Sequence, residues 1–575
     1  MDETAKEHIK ILAFLKSTPE RVRLNADLEK SRVFTTPEKG SVINGVKKDR
    51  PIHVIIDEVA EANTVHGRGM YSNLLPANTR VADFEDADEK LMEKQENKDF
   101  FSKASIKMYD WLMNSNLAME MTELFNDAGA VSTTSIYSEL DEDRVFNFRT
   151  YPLENFWIKQ NNKGRIDTYY REFTYTPRQA VQEFGQENLG DKVIRSLNSS
   201  NIKSQNKLFT FIHAVSPNYD REVDVNGEYV AGNQNMAFKS IYVGVEDKNN
   251  VIESGYEEMP YAVGRLEKIS GHNYGTCAGL SMIRTFLMLN KMEHTNLKAA
   301  QKAVDPPVSI NAAAMQGGSN GQAAVAQHFN HAGAVNMHDG TMPGGAPSYA
   351  PTPSNVPIGW EAQDRKKRMV EKAFFVNVFE MLQQLKENGG TQTAYEISKL
   401  IAERHSLIIP VVARIMEETL TPLFRRCFML AFRAGLFDEI MTPEIAERLK
   451  QDQLKINFVS PLALATRMSG LNSFQNALQN IVPLLEMDPG LVDLIDTDEV
   501  TRDTFQLSGA PSKYIRSKVK VDELRKKRAE AAAQQQEADK SMELATSPNI
   551  MKKPEDGSAG QGMMENAMGA LNGRV

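Results

Sequence analysis

The stretch from about Thr276 to Val304 constrains this chain more than any other, because its apolar residues recur at helical spacing and Pro306-Pro307 then forbid the helix to continue. At about 100° per residue, Arg284, Lys291, Lys298 and Lys302 fall within roughly 40° of one another, so they form one basic stripe. With a rise of about 1.5 Å per residue the stripe is roughly 27 Å long, enough to lie along several base pairs of a duplex. Met282, Phe286, Leu289, Leu297, Ala300 and Val304 cluster on the other side, interrupted by Glu293, and are expected to be the packed face. A bland reading competes: a helix with one wet face often carries Lys and Arg for solubility alone.

The text before this helix alternates between helix and strand. Residues 1 to about 100 mix short amphipathic stretches with polar spacers, and Val145 to Phe173 turns β-branched and aromatic around Pro152 and Gly164, which predicts strands and a hairpin. Thr176-Pro177 predicts a helix start, with the helix running through Ala180 and Phe184 towards Ser199. Strand-like runs at Leu208 to Val215, Tyr229-Val230 and Ser240 to Val245 then predict a small β-rich module between two helices. After it, Ala312 to Pro357 is a Gly-, Ala-, Pro- and Met-rich loop, followed by a predicted helix from Glu361 to Asn388. Helices are expected over about Ala394 to Leu436, Pro443 to Lys450, Pro461 to Leu485 and Glu523 to Gln536, and then a tail too polar to order itself.

At 575 residues the chain is too long for one core, and about three or four domains are expected. The formal charge of −9 argues against coating nucleic acid through bulk charge, so any DNA contact must be local. Two cysteines, Cys277 and Cys427, exclude a disulfide framework and any Cys-based metal site. The strongest apolar run, Leu407 to Ala413, is far short of the roughly 20 residues a membrane span needs. The N-terminus has no secretory pattern, so a protein that stays where it is made is expected.

No catalytic constellation stands out. Gly40 to Lys47 lacks the adjacent Gly-Lys of a phosphate cradle, because Val46 separates Gly45 from Lys47. His328, His331 and His338 have metal-like spacing but sit in a glycine-rich stretch without a fixed carboxylate, so no metal or cofactor is expected there. Asp493, Asp496, Asp498 and Glu499 could hold Mg²⁺ in a nuclease, which is the alternative enzymatic reading; Asp residues at helix starts explain them more simply.

Several segments in order resemble one family, the portal or head-to-tail connector proteins of short-tailed, podovirus-type bacteriophages. They are Met70 to Pro76; Tyr170 to Phe173 with Thr176 to Gln179; Tyr274-Gly275 and Lys302 to Pro307 around the basic-striped helix; Thr393 to Glu396; Glu418 to Leu423; and Val459 to Ala463. Residues 1–65 and 546–575 carry no such motif, and the loop after Pro307 is longer and richer in Ala, Gly and Met than the family's pattern.

The resemblance implies an α+β portal fold with a helical wing, two-helix stem, β-rich clip and helical crown, assembled as a ring. Its expected divisions are 1–176 N-terminal wing, 177–204 stem helix 1, 205–273 clip, 274–305 stem helix 2, 306–360 wing strands and tunnel-loop region, 361–455 wing helices, 456–545 crown and 546–575 tail. It implies a structural, non-catalytic homo-dodecamer without cofactors at one capsid vertex of the virion, put together in the host cytoplasm. Double-stranded DNA would pass along Arg284, Lys291, Lys298 and Lys302 during packaging and ejection. A large terminase motor, a tail adaptor, and the major capsid and scaffolding proteins are the implied partners, with no membrane. Twelve copies of −9 make about −108, and an acidic channel with sparse basic rings would let DNA slide.

Overall fold

The computed structural model describes residues 2–37, 42–43, 46–47, 54–76, 80–88, 92, 94–222, 230, 232–311, 332, 334–338, 348–349, 356–379, 408–450, 453–459, 521 and 523–535. Gly40, Gly45, the histidines 328 and 331, Thr393 to Glu396, Pro461 to Leu485, the Asp493 cluster and the tail from 546 lie outside these residues.

Helices α1 (Glu3–Ser17) and α2 (Pro19–Thr35) open the chain, and a short ribbon of β1 (Val42–Ile43) and β2 (Val46–Lys47) leads to α3 (Glu58–Leu74). Strand β3 (Ala82–Asp86) and helices α4 (Gln95–Asn114) and α5 (Leu117–Val131) follow. The next strands are β4 (Thr133–Asp141), β5 (Val145–Tyr151), β6 (Phe156–Gln160) and β7 (Ile166–Tyr175). After the short helices α6 (Pro177–Phe184), α7 (Asp191–Leu197) and α8 (Ile202–Gln205) come β8 (Phe209–Pro217), β9 (Phe238–Gly244), β10 (Asn249–Tyr256) and β11 (Tyr261–Arg265).

These strands make two antiparallel sheets, one in the order β10-β9-β8-β7-β6 and one in the order β11-β4-β5. Alternation along β7 explains how they stack. Tyr170, with Trp157, Ile212, Ala214, Ile241 and Val243, faces Leu12 and Leu15 of α1, while Tyr169 on the other face stacks on Tyr261 of the second sheet with ring centroids 3.8 Å apart. Further along that second face, Phe209 and Phe211 are covered by Ala180, Phe184 and Val193 of α6 and α7.

Two expectations differ from this arrangement. The helix expected over 177–204 is three short ones. Thr176 and Gln179 form the capping box that starts α6, with Pro177 in its first turn, but Gly185 closes it at φ +77°, a conformation glycine adopts at little cost. The strands within 205–273 are not a separate module either: β8 pairs with β7 residue for residue from Tyr169↔Val215 to Tyr175↔Phe209, and β11 pairs with β4. The β-rich expectation holds, but its boundary at 205 cuts through a sheet.

The ribbon β12 (Glu267–Lys268) and β13 (Gly275–Thr276) and the turn α9 (Ala278–Ser281) lead into the long helix α10 (Ile283–Val304). Strands β14 (Val308–Asn311), β15 (Val335–His338) and β16 (Ser348–Tyr349) form a small sheet with β14 at its centre, and α11 (Val356–Ala373) follows. The helix predicted from Glu361 to Asn388 thus starts earlier and breaks at Phe375, whose φ of +58° takes it out of the helical region.

Residues 408–415 are helical, Met416–Leu420 make one π-helical turn, and α12 (Thr421–Arg433), α13 (Pro443–Lys450) and β17 (Leu454–Phe458) complete the body. Strand β17 pairs antiparallel with β3, from Leu454↔Asp86 to Phe458↔Ala82. The largest core lies here, where Phe84, Phe100, Phe101 and Phe125 meet Phe424, Phe428 and Phe437. Cys277 and Cys427 are buried free thiols, both pushed up to about 12 by burial, so neither is poised to react.

The π-helical turn is held by charge. The Glu418 carboxylate accepts from the Arg265 backbone N–H at 3.1 Å and from its guanidinium at 2.9 and 2.8 Å, at the end of β11, with the Arg265 side chain 2% exposed. Glu418→Ala would leave that guanidinium buried with its carboxylate partner gone, a loss of about 3–5 kcal/mol. Thermal or denaturant unfolding of the variant should show a destabilisation of this size.

Candidate channel-facing helix pair

Helices α10 and α11 run antiparallel, since Phe286 meets Phe374 while Asn296 meets Gln363, and they are joined by the segment that carries β14, β15 and β16. Their root is apolar. Phe286 and Leu289 of α10 pack with Phe34 of α2, Val59 of α3, and Val370 and Phe374 of α11, with Phe286 ring centroids 5.9 Å from Phe34 and 6.3 Å from Phe374. Further out the contact is polar: Asn296 Nδ2 donates to Gln363 Oε1 at 2.7 Å, and Gln363 Nε2 donates to the Glu293 carboxylate. Gly359 sits against Asn296, where a Cβ would stand 2.6 Å from its Oδ1, so the helices approach closely. Lys367 is tied to Glu58 of α3 at 2.5 Å, and the Asn290 Oδ1 accepts from the Ile55 N–H at 2.9 Å.

The break after α11 is braced from α3. His66 is fully buried, its ring faces Phe374, Phe375 and Phe379, and its Nδ1 lies 3.1 Å from the Phe374 carbonyl oxygen. Because a carbonyl only accepts, Nδ1 carries the proton and the buried Nε2, which has no hydrogen-bond partner among the described residues, stays unprotonated. Gly69, one turn on, lets Phe379 approach, since a Cβ there would collide with the Phe379 ring.

The basic stripe is on the surface. Arg284, Lys291 and Lys298 are exposed and form no ion pair among the described residues, and Lys302 is half-buried. The contacts with α11 run through Phe286, Leu289, Glu293 and Asn296, so the stripe points roughly opposite to its partner helix. On α11 the residues facing away from α10 include Arg365, Arg368 and Lys372, with Glu361 among them. Each helix therefore turns a charged face outward.

The expected packed face of α10 is only half packed. Phe286 and Leu289 are fully buried, but Leu297 is 46% and Val304 88% exposed. Periodicity reports which side of a helix avoids water, and within one chain nothing described covers the outer half of that side. Of the seventeen large apolar side chains exposed among the described residues, six lie on these two helices: Leu287, Met288, Leu297, Val304, Trp360 and Met369. Sequence reasoning missed α11 as the partner of α10, and missed His66; the signals were Gly359 opposite a polar helix face and, within α3, Gly69, which admits Phe379.

A sequence profile described as bacteriophage head to tail connecting protein matches residues 18–515. The chain belongs to that family. It is 23% identical over 540 residues to the portal protein of Salmonella phage epsilon15, covering 92% of each chain. It is 26% identical over 445 residues to the probable portal protein of Bordetella phage BPP-1, covering 73% of this chain and 72% of that one. As a family member it is a phage head-tail connector of mixed α and β structure. Among the described residues no helix is long and apolar enough to cross a membrane, and no three His, Cys, Asp or Glu side chains gather where they could hold a metal ion.

Two measurements test the pair. Phe286→Ala should cost about 3–5 kcal/mol of protomer stability, whereas Leu297→Asp should leave protomer melting almost unchanged, because only the first side chain is buried in the chain itself. His66, held down to about 4 by burial against the weaker opposing pull of the Phe374 carbonyl, must take up a proton on unfolding below its ordinary value. Its contribution is complete above about pH 6.5 and is lost as pH falls towards about 4, by roughly 3 kcal/mol. Melting curves of His66→Gln should show a shallower loss of stability over that window than the parent protein.

Proposed function

We propose that copies of this chain assemble into a ring of twelve at one capsid vertex, with the α10–α11 pairs as its staves and double-stranded DNA passing through the middle. The observation that carries this reading is the division of the pair into four sides: a charged face on each helix pointing away from the other, and apolar residues on the flanks between. A stave of a ring needs that distribution, since its flanks meet neighbours while its inner and outer faces meet water or DNA.

On this reading α10 and α11 are the two stem helices, and the small sheet at their far end, within 305–355, is the clip. This replaces the sequence-based placement of the stem at 177–204 and the clip at 205–273, and it takes the tunnel loop out of 306–360, because the described strands of that stretch, β14 to β16, join the outer ends of the helix pair. The β6–β10 and β4–β11 sheets then belong to the wing with α1–α5. Arg284, Lys291, Lys298 and Lys302 line the channel, and each becomes a ring of twelve side chains. No step of chemistry is assigned to the chain; the motor that packages DNA is a separate ATP-driven partner, and the clip meets first that motor and later the tail adaptor.

Sparse basic rings on a net acidic assembly hold phosphates weakly enough for DNA to move. Native mass measurement should give a particle near twelve times 64.4 kDa, about 770 kDa. Replacing Lys291 and Lys298 with Gln should leave ring size and melting unchanged while altering DNA retention or the salt dependence of DNA passage. A monomer with Mg²⁺-dependent DNA cleavage would instead favour the Asp493 enzyme reading. A folded ring whose DNA handling is indifferent to the Gln changes would take the stripe out of the channel.

A further inference from the structure

The two flanks of the helix pair differ from each other. At about 100° per residue, Leu297 on α10 and Trp360 on α11 each stand roughly 60–70° from the line joining the two axes, and because the helices are antiparallel both fall on the same flank. Trp360 is 53% exposed, and Asp364, one turn along, is exposed on that flank as well. The opposite flank at the same height carries Ala299 on α10 and Ala362 on α11, both half-exposed and small, with half-exposed Lys366 beside them. Neither Asp364 nor Lys366 forms an ion pair among the described residues, in contrast to Lys367, which is held by Glu58.

One flank is therefore raised, apolar and acidic, and the other is hollow, apolar and basic. The four residues Trp360, Ala362, Asp364 and Lys366 span only about 9 Å along α11, so both complementary features occur at one level.

We infer that the Leu297–Trp360–Asp364 flank of one copy docks on the Ala299–Ala362–Lys366 flank of the next, Trp360 entering the alanine hollow and Asp364 meeting Lys366. The occupant is a second copy of this chain, since the chain itself displays both halves of the contact. The contact is head-to-tail: a two-fold dimer would bring like flanks together, acid against acid or base against base, whereas a rotation that repeats one contact closes a ring. This inference rests on the ring reading above and adds the residues and the direction in which copies join.

Charge exchange tests it. Asp364→Lys and Lys366→Asp are substitutions at exposed or half-exposed positions, so each protomer should fold and melt as the parent does. Each alone puts like charges across every junction and should lower the ring fraction in native mass spectra about tenfold or more. The double exchange should restore rings. So should an equal mixture of the two single variants: one carries two basic flanks and the other two acidic flanks, so copies that alternate around the ring meet an opposite charge at every junction. Rings that form normally in both single variants, or a mixture that fails to form them, would overturn the inference while leaving the ring itself standing. Absence of rings in the parent protein would overturn the ring reading and this contact with it.

Discussion

Phe286 decides where the helix pair leaves the body of the protein. Its ring is enclosed by Phe34 from α2 and Phe374 from α11, so one side chain joins the outgoing helix, the returning helix and the N-terminal helices. Beyond Leu289 and Val370 the described contacts between the two helices are the polar ones of Glu293, Asn296 and Gln363, which orient two helices but contribute modestly to stability. Direction is therefore set at the root, while the outer half leaves Leu297, Val304 and Trp360 exposed on its flanks.

Local chemistry in the sequence announces much of this. Pro306-Pro307 end α10 where expected, Thr176-Pro177 start α6, and Pro443 to Lys450 is a helix with those bounds. The strands of 145–173, 208–215 and 240–245 were legible from β-branched and aromatic alternation, while β10 was missed because Asn249-Asn250 reads as a turn; the pairing of β6 and β7 with β8 and β9 in one sheet was not legible, because pairing is set by register between distant segments rather than by either segment's composition. Gly185 carried the signal that would have divided the 177–204 helix, and it reads as a stop only when its left-handed backbone is known. Of the site, the stripe of Arg284, Lys291 and Lys298 was legible as an exposed face. The burial expected of Leu297 and Val304 is not met among the described residues, because an amphipathic pattern reports which side of a helix suits an apolar cover and not whether the same chain supplies it.

The break at Phe375 shows a local preference overridden by packing. Helical periodicity runs straight through Phe374 and Phe375, yet the chain turns there because Phe374, Val376 and Phe379 each find a buried place against α2, α3 and the His66 ring. A non-glycine residue in the left-handed region costs roughly 1–2 kcal/mol, and burial of three apolar side chains outweighs it.

The pairing of β3 with β17 joins Phe84 to Ile456 across most of the sequence, and it has a consequence in time. At roughly 5–20 residues per second of synthesis, β3 waits about twenty seconds to a minute or more before its partner strand leaves the ribosome. Until then the aromatic core that β17 completes lacks one wall, since Phe84 and Phe428 cannot be closed over by Phe458. The core that holds β3 is thus closed only after the whole intervening chain, with both sheets and the helix pair, has been made.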